Sequence, residues 1–471
     1  MGNIDNEVSE SRKSKILMCV VIMTFMSCID GSIVNVALPL IARDLNVTMA
    51  QVEWVVTSYL LIISVLVLLN GRIGDIKGKN KVFKFGILVF TIGSICSGFS
   101  KNLVLLIVSR VIQGIGASCT MAVNMGIITG IYKEGEGRGK ALGISASAVA
   151  LGTMIGPSIG GILASIRWDL IFWINVPIGI INLILANKVL EKDNIKIEEK
   201  IDVRGTIAFG FFIVSLILSV TKGEFVGYTN KYILFGFLIS IIGLIIFLYL
   251  QKTVKSPVLD LKLFKNKLFS TSILCNFLTF IGLSSVTIIL PFYLQDVLKM
   301  STLHAGFFLM IYPLVLGIVS PYSGKLSDKL NSKYIATIGC LILSIGLILL
   351  GTVKENTSLF QVAIYSGIMG LGNGLFKSPN NGLVMKEIKK SQLGIAGSVN
   401  ALLRNVGMVF GITLSTTLLY NRMSHIIGYE VSNYVPGRND VFIYAMDIVF
   451  LTTGFICVLA TILSIIRSKK Y

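Results

Sequence analysis

The stretch GRIGDIKGKNK, Gly71 to Lys81, separates two long apolar runs and gathers four basic residues around one carboxylate, Asp75. Its GxxxD frame returns as GKLSD, Gly324 to Asp328, 253 residues further on. The same offset sets QGIG from Gln113 against SGIM from Ser366, aligning Gly114 with Gly367. An offset two residues longer sets Gly152, Gly156 and Gly160 against Gly407, Gly411 and Ser415. Small residues match by chance in apolar helices. Three echoes at nearly one offset read instead as two related halves of one chain, the kind of internal repeat on which many polytopic membrane folds are built.

Composition says where those halves reside. The chain has 471 residues, a mean hydropathy of +0.81, 54% hydrophobic residues and 14% charged ones. That leaves too little polar surface to solvate a globular protein of this length, and implies a polytopic membrane protein surrounded by lipid. A formal net charge of +18 would suit a nucleic-acid binder. The basic residues, however, fall in short clusters between apolar runs, a pattern that reports membrane orientation and argues against a nucleic-acid partner. The seven cysteines all lie in apolar segments without CxxC or metal-ligand spacing, so they read as packing residues and no metal site is expected.

Runs of about 18 to 28 mostly apolar residues are long enough to cross the hydrocarbon core as helices. Fourteen are expected, at 16–40, 52–71, 83–100, 103–131, 141–164, 168–189, 205–221, 231–250, 268–293, 303–323, 334–352, 358–383, 393–420 and 441–466. The first is too long for a secretory signal, lacks a small-residue cleavage site and is retained. Grouped by the repeat, the chain divides into an N-terminal tail (1–15), a six-helix bundle (16–189), a linker with two additional helices (190–267), a second six-helix bundle (268–466) and a C-terminal tail (467–471). About 30 of the Lys and Arg residues fall on the side of the N-terminus and about 9 opposite, which places both termini in the cytoplasm.

With the spans in place, the motifs resemble those of the major facilitator superfamily. GRIGDIKGKNK is similar to its motif A, RVIQGIGAS (Arg110–Ser118) to motif B, and GTMIGPSIGG (Gly152–Gly161) to the antiporter motif C. IDGSIVNVALP (Ile29–Pro39) and WINVPIG (Trp173–Gly179) resemble signatures of the fourteen-span drug:proton antiporter group. The resemblance implies an all-α fold of 6+2+6 helices. It implies that Asp75, with Gly71, Lys77, Gly78 and Lys79 around it, latches the cytoplasmic ends of the halves, echoed by Gly324 and Asp328. Ile76 stands where the family often has arginine. Gly152, Gly156 and Gly160 share a helix face that lets another helix approach closely, and Pro157 bends the helix beside Gly161. That face can be ordinary small-residue packing; the resemblance implies that it seals the interface between the halves in one state and so favours exchange over leak.

Deep charges supply the candidate chemistry. A carboxylate at membrane depth costs roughly 2.5–3.5 kcal/mol on insertion scales and defaults to a functional role. Asp30 lies about 21 Å up the first span and Arg110 about 10 Å down the fourth, so in a core of about 30 Å their depths coincide. The pair can be a static tie between two helices or, as the resemblance implies, a proton- or substrate-coupling site. Arg404 faces a cavity, donates to carbonyls, attracts an anionic group, or is satisfied by Asn400 and Asn405. Lys377 is expected to snorkel to its helix end. Glu53 is a surface carboxylate or a point of proton entry. Tyr59, Asn124, Asn276, Phe280, Tyr312 and Asn373 are candidates to line a central cavity, where aromatic rings suit amphipathic cations.

The resemblance implies a proton-coupled exporter of amphipathic drugs or toxic organic compounds in a bacterial cytoplasmic membrane, working as a single copy. The same fold equally serves export of an endogenous metabolite, sugar or lipid-like precursor; a non-transporting receptor is the remaining alternative. GKALG at Gly139 lacks the Walker pattern, so no nucleotide or other cofactor is expected. No nucleophile–base constellation points to an enzyme. The tenth and thirteenth spans lack acids, which favours neutral, zwitterionic or monocationic substrates over dications.

Overall fold

The computed structural model describes residues 9–47, 49–52, 54–132, 137–191, 193, 201–386, 388–389, 392–431 and 434–470. Among them the chain is almost wholly helical and has no strand. Hydrocarbon offers backbone amides no partner, so a sequence this apolar satisfies its N–H and C=O groups inside helices. Fourteen helices are long and apolar enough to cross a membrane, matching the expected number. The main helices that build them are α1 (Glu10–Asp44), α2 (Trp54–Lys77), α3 (Lys79–Gly98), α4 (Leu103–Ile131), α5 (Arg138–Ile166), α6 (Asn175–Val189, within the span Leu170–Val189), α7 (Val203–Val226), α8 (Lys231–Thr253), α9 (Lys267–Phe292), α10 (Ile311–Lys329, within the span His304–Lys329), α11 (Ser332–Leu350), α12 (Leu359–Met385), α13 (Leu393–Ile427) and α14 (Asn439–Lys470).

Their starts are written into the sequence as polar caps. Asn102, Asp202, Asn266 and Ser358 each accept a hydrogen bond from a backbone N–H of the first turn, and Ser358 with Gln361 completes a capping box. Two expected spans are divided by proline. A turn of helix at Leu170–Trp173 precedes α6, and Thr302–Leu309 precedes α10. In each case the proline, Pro177 or Pro313, has no N–H to offer the carbonyl four residues earlier, and the helix restarts just ahead of it.

The internal repeat is a repeat of packing. The neighbours α3–α4, α1–α5, α2–α4, α3–α6 and α1–α6 recur as α11–α12, α9–α13, α10–α12, α11–α14 and α9–α14. The halves meet where α5 crosses α10 and α2 crosses α13. Helix α7 lies against α2 and α13, one helix from each half, and α8 packs on α7. Gly243 of α8 seats against the backbone of Phe212, while Phe235, Ile241, Ile245 and Tyr249 turn outward as a lipid-facing surface.

The ends differ from the expected tails. α1 begins at Glu10 and α14 runs to Lys470, so helix reaches into both expected tails among the described residues. Arg467, placed in a solvated tail on sequence grounds, is fully buried. Its Nη1 donates to Asn380 Oδ1 at 2.7 Å and Ser272 Oγ at 2.9 Å, and its Nη2 to Ser464 Oγ at 2.8 Å. The guanidinium therefore ties α14 to α12 and α9 through neutral acceptors. Arg467→Ala is expected to lower stability by about 1–3 kcal/mol, against about 0.5 kcal/mol for a solvated residue. Thermal unfolding in detergent, followed with a thiol-reactive dye on the seven free cysteines, measures the difference.

Candidate functional site

The geometry resolves into a buried ion pair in the first half, a cavity between the halves, and two latches at the end that carries both termini.

Asp30 and Arg110 are both fully buried and meet directly, Arg110 Nη1 lying 2.7 Å from Asp30 Oδ2. The carboxylate also accepts from Gln113 Nε2 on α4 and from Asn175 Nδ2 on α6, each at 2.8 Å. Gln113 reaches on to Ser94 Oγ of α3 at 2.9 Å, and Arg110 Nε donates to the Val55 carbonyl of α2 at 3.0 Å. The guanidinium lies over the Tyr59 ring at 4.1 Å. One carboxylate thus holds five helices of one half together. Arg110 Nη2 and Tyr59 Oη are buried without a hydrogen-bond partner among the described residues. Gln113 and Asn175 were quoted in motifs but not singled out. Gln113 lies one turn from Arg110 and so on the same face; Asn175 carried no such signal.

The cavity lies between the halves and has a volume of about 80 Å³, below the range of small-molecule sites, so a bound molecule of that class requires the halves to move apart. Asn124, Asn276, Phe280 and Arg404 line it as expected. Tyr59, Tyr312 and Asn373 are not among its lining residues. Tyr59 is spent under Arg110, and Tyr312 Oη accepts from Asn373 Nδ2 at 2.6 Å. Lys377, expected to snorkel, instead lines the cavity, with Nζ 5.8 Å from the Phe280 ring centroid. Its helix continues to Met385, so the amine is two turns inside the end it was expected to reach. Asn400 does not satisfy Arg404: its amide meets Asn276 at 3.0 Å and Asn381 at 3.2 Å. Glu53 lies outside the described residues.

Motif A and its echo form a reciprocal pair across the seam. Asp75 accepts from the backbone N–H groups of Gly394 at 2.9 Å and Ile395 at 3.0 Å, in the first turn of α13. Asp328 accepts from Gly139 at 2.8 Å and Lys140 at 3.2 Å, in the first turn of α5. Each carboxylate satisfies orphan donors at the positive end of a helix belonging to the other half. Lys79 Nζ stands 2.9 Å from Asp75 and supplies the cation that Ile76, itself buried, does not. Lys77 is exposed at the end of α2. Gly78, at φ +104°, makes the turn into α3 that a side chain would strain. Gly71 and Gly324 are required by contact: a Cβ on either would collide with Ser398 or with the Gly139 carbonyl across the seam.

In this structure the glycine face of motif C packs within its own half. Gly152, Gly156 and Gly160 abut Phe25, Cys28, Ser32 and Ile33 of α1, within the same half. Gly161 faces open space, and the Pro157 side chain lies outside the described residues. Contact of α5 with the other half lies toward its opposite end, where Gly139 and Gly143 meet Gly324 and Ser320 of α10 and Ser147 Oγ donates to the Gly317 carbonyl at 2.6 Å.

Two helical repeats clasping a central cavity through reciprocal latches define a membrane transporter. The family model of the Major Facilitator Superfamily matches residues 20–412, and the chain belongs to that superfamily, whose members are transporters and not enzymes. It is 34% identical over 443 residues to the riboflavin transporter RibZ of Clostridioides difficile, covering 93% of this chain and 95% of that one. It is 29% identical over 434 residues to the multidrug transporter protein MdtP of Bacillus subtilis, covering 92% and 80%. Among solved structures, the proton:xylose symporter XylE superposes with a TM-score of 0.68 at 15% identity, over 97% of this chain and 95% of that one.

Two outcomes check these assignments. Arg110→Leu alone should cost about 3–5 kcal/mol by leaving Asp30 charged and unpaired. Arg110→Leu with Asp30→Asn should cost less than the sum of the single changes, read as melting temperatures in detergent. Spin labels at Lys81 and Lys325, both exposed and on opposite halves, should move apart in the double variant Asp75→Asn, Asp328→Asn. An unchanged distance distribution by electron–electron resonance would mean the seam closes without the latches.

Proposed function

We propose that this transporter exports small amphipathic organic compounds across a bacterial cell membrane by alternating access, in exchange for protons. The observation that carries alternating access is the reciprocal pair of carboxylates, which closes the cavity at one end through contacts that a rocking motion can release. The excess of Lys and Arg at that end supports its being cytoplasmic, with both termini inside. The closed arrangement then corresponds to the state that releases substrate outward.

Asp30 is the proton carrier in this reading. Protonating it removes the charge that compensates Arg110 and weakens a network binding five helices, so that charge state and helix packing change together. Both sequence repeats contribute to the cavity, so one copy of the chain is sufficient for transport. The proton gradient drives the cycle and no nucleotide or other cofactor takes part.

A second reading has its own support: one of the more similar relatives bears the name of a riboflavin transporter, so the cargo is then an endogenous metabolite of comparable size. The experiment that separates the readings uses everted vesicles with an inside-acid gradient, monitored by a pH-sensitive dye during addition of ethidium, norfloxacin or riboflavin. Compound-dependent loss of the gradient with wild type, and none with folded Asp30→Asn, is the expected result. An equal response from both proteins removes Asp30 from the coupling path. A response to riboflavin alone favours the metabolite reading.

A further inference from the structure

We propose that the central cavity is built for an organic anion, a planar carboxylate or phosphate group carried on an apolar or heteroaromatic body, with Lys377 and Arg404 as its counter-charges. The inference rests on the transporter reading, because it takes the cavity's occupant to be the cargo.

Three observations converge. Lys377 of α12 and Arg404 of α13 line the same cavity, and no Asp or Glu is among its lining residues. Neither cation forms an ion pair among the described residues. Asp30, the one deep carboxylate that might have balanced them, already accepts three hydrogen bonds from Arg110, Gln113 and Asn175 and is fully buried behind them.

Two like charges in one cavity at membrane depth repel each other and are costly to desolvate. A cationic cargo would add a third. An anion reverses the sign of both terms, and a guanidinium beside an ammonium offers a planar fork together with a point charge, the pairing suited to carboxylate or phosphate oxygens. The remaining lining suits the body of such a molecule. The amides of Asn124, Asn276 and Asn400 supply directional donors and acceptors, and Met121 and Phe280 supply a polarisable apolar wall. The face of Phe280 is already occupied by the Lys377 amine, which withdraws the aromatic platform an amphipathic cation would use.

The test uses two dyes of nearly the same shape and opposite charge, fluorescein and rhodamine 123, bound at equilibrium to the full chain in nanodiscs and read by anisotropy. Wild type should bind fluorescein at least about tenfold more tightly than rhodamine 123. Lys377→Gln and Arg404→Gln should each weaken fluorescein by about tenfold, as loss of one charge-assisted contact requires. Lys377→Arg should retain most of the affinity, which a merely structural role for the amine would not predict. Rhodamine bound as tightly as fluorescein, fluorescein binding unmoved by both Gln variants, or no measurable fluorescein binding would each overturn the proposal. The same dyes and riboflavin are then offered to proteoliposomes. Fluorescein bound with this pattern but not carried would leave the anion site standing and sink the transport reading. Carriage of riboflavin or ethidium by protein that does not bind fluorescein would do the reverse.

Discussion

Two carboxylates, Asp75 and Asp328, each sit on the start of a helix that belongs to the other half of the molecule. The first turn of any helix leaves backbone N–H groups unsatisfied and carries partial positive charge, so an aspartate is a fitting cap. Here the cap comes from across a seam. Satisfying those donors requires α2 to approach α13 and α5 to approach α10 within backbone contact, which is why Gly71 and Gly324 cannot carry side chains. The closed end, the cavity behind it and the relation between the halves all follow from this pairing. The bond is also reversible at modest cost, because in an open state water can replace an aspartate at an exposed helix start.

The halves share a packing plan but not a chemistry. The first half buries a neutralised pair, Asp30 with Arg110, inside a polar network. The second half buries cations that have no carboxylate partner among the described residues. Arg467 is absorbed by the neutral oxygens of Asn380, Ser272 and Ser464. Lys377 and Arg404 are turned toward the cavity instead. A buried charge with satisfied partners resists change, whereas one facing a cavity is available to whatever enters. The asymmetry leaves one repeat with a neutralised charge network and the other with cations open to the cavity.

Parts of this were legible without coordinates because membrane geometry is strict. Helix rise and hydrocarbon thickness are nearly constant, so counting residues from the ends of two spans was enough to bring Asp30 and Arg110 to one depth. The GxxxD repeat likewise pointed to two equivalent seams, since only a contact demanded twice explains the same small-residue frame in both halves. Rotation about each helix axis was not legible. Tyr59, Tyr312 and Asn373 lie at plausible depths but turn toward partners inside their own half, while Lys377 turns into the cavity rather than toward its helix end. Motif C shows the same limit. Three glycines at a spacing of four declare a close helix contact, yet their spacing does not say whether the partner is α1 of the same half or a helix of the other.

The amino-acid sequence by itself determined the membrane setting, the number of spans, the two-fold repeat and the common depth of Asp30 and Arg110, because these depend on hydropathy and on distance along the chain. Only the tertiary structure decided which charges are neutralised and which remain open, since that depends on which faces of non-adjacent helices meet. Asp30 is closed off because Gln113 and Asn175 arrive from two other helices. Lys377 and Arg404 stay unpaired by any acid among the described residues because none of the helices lining the cavity they share brings a carboxylate to it.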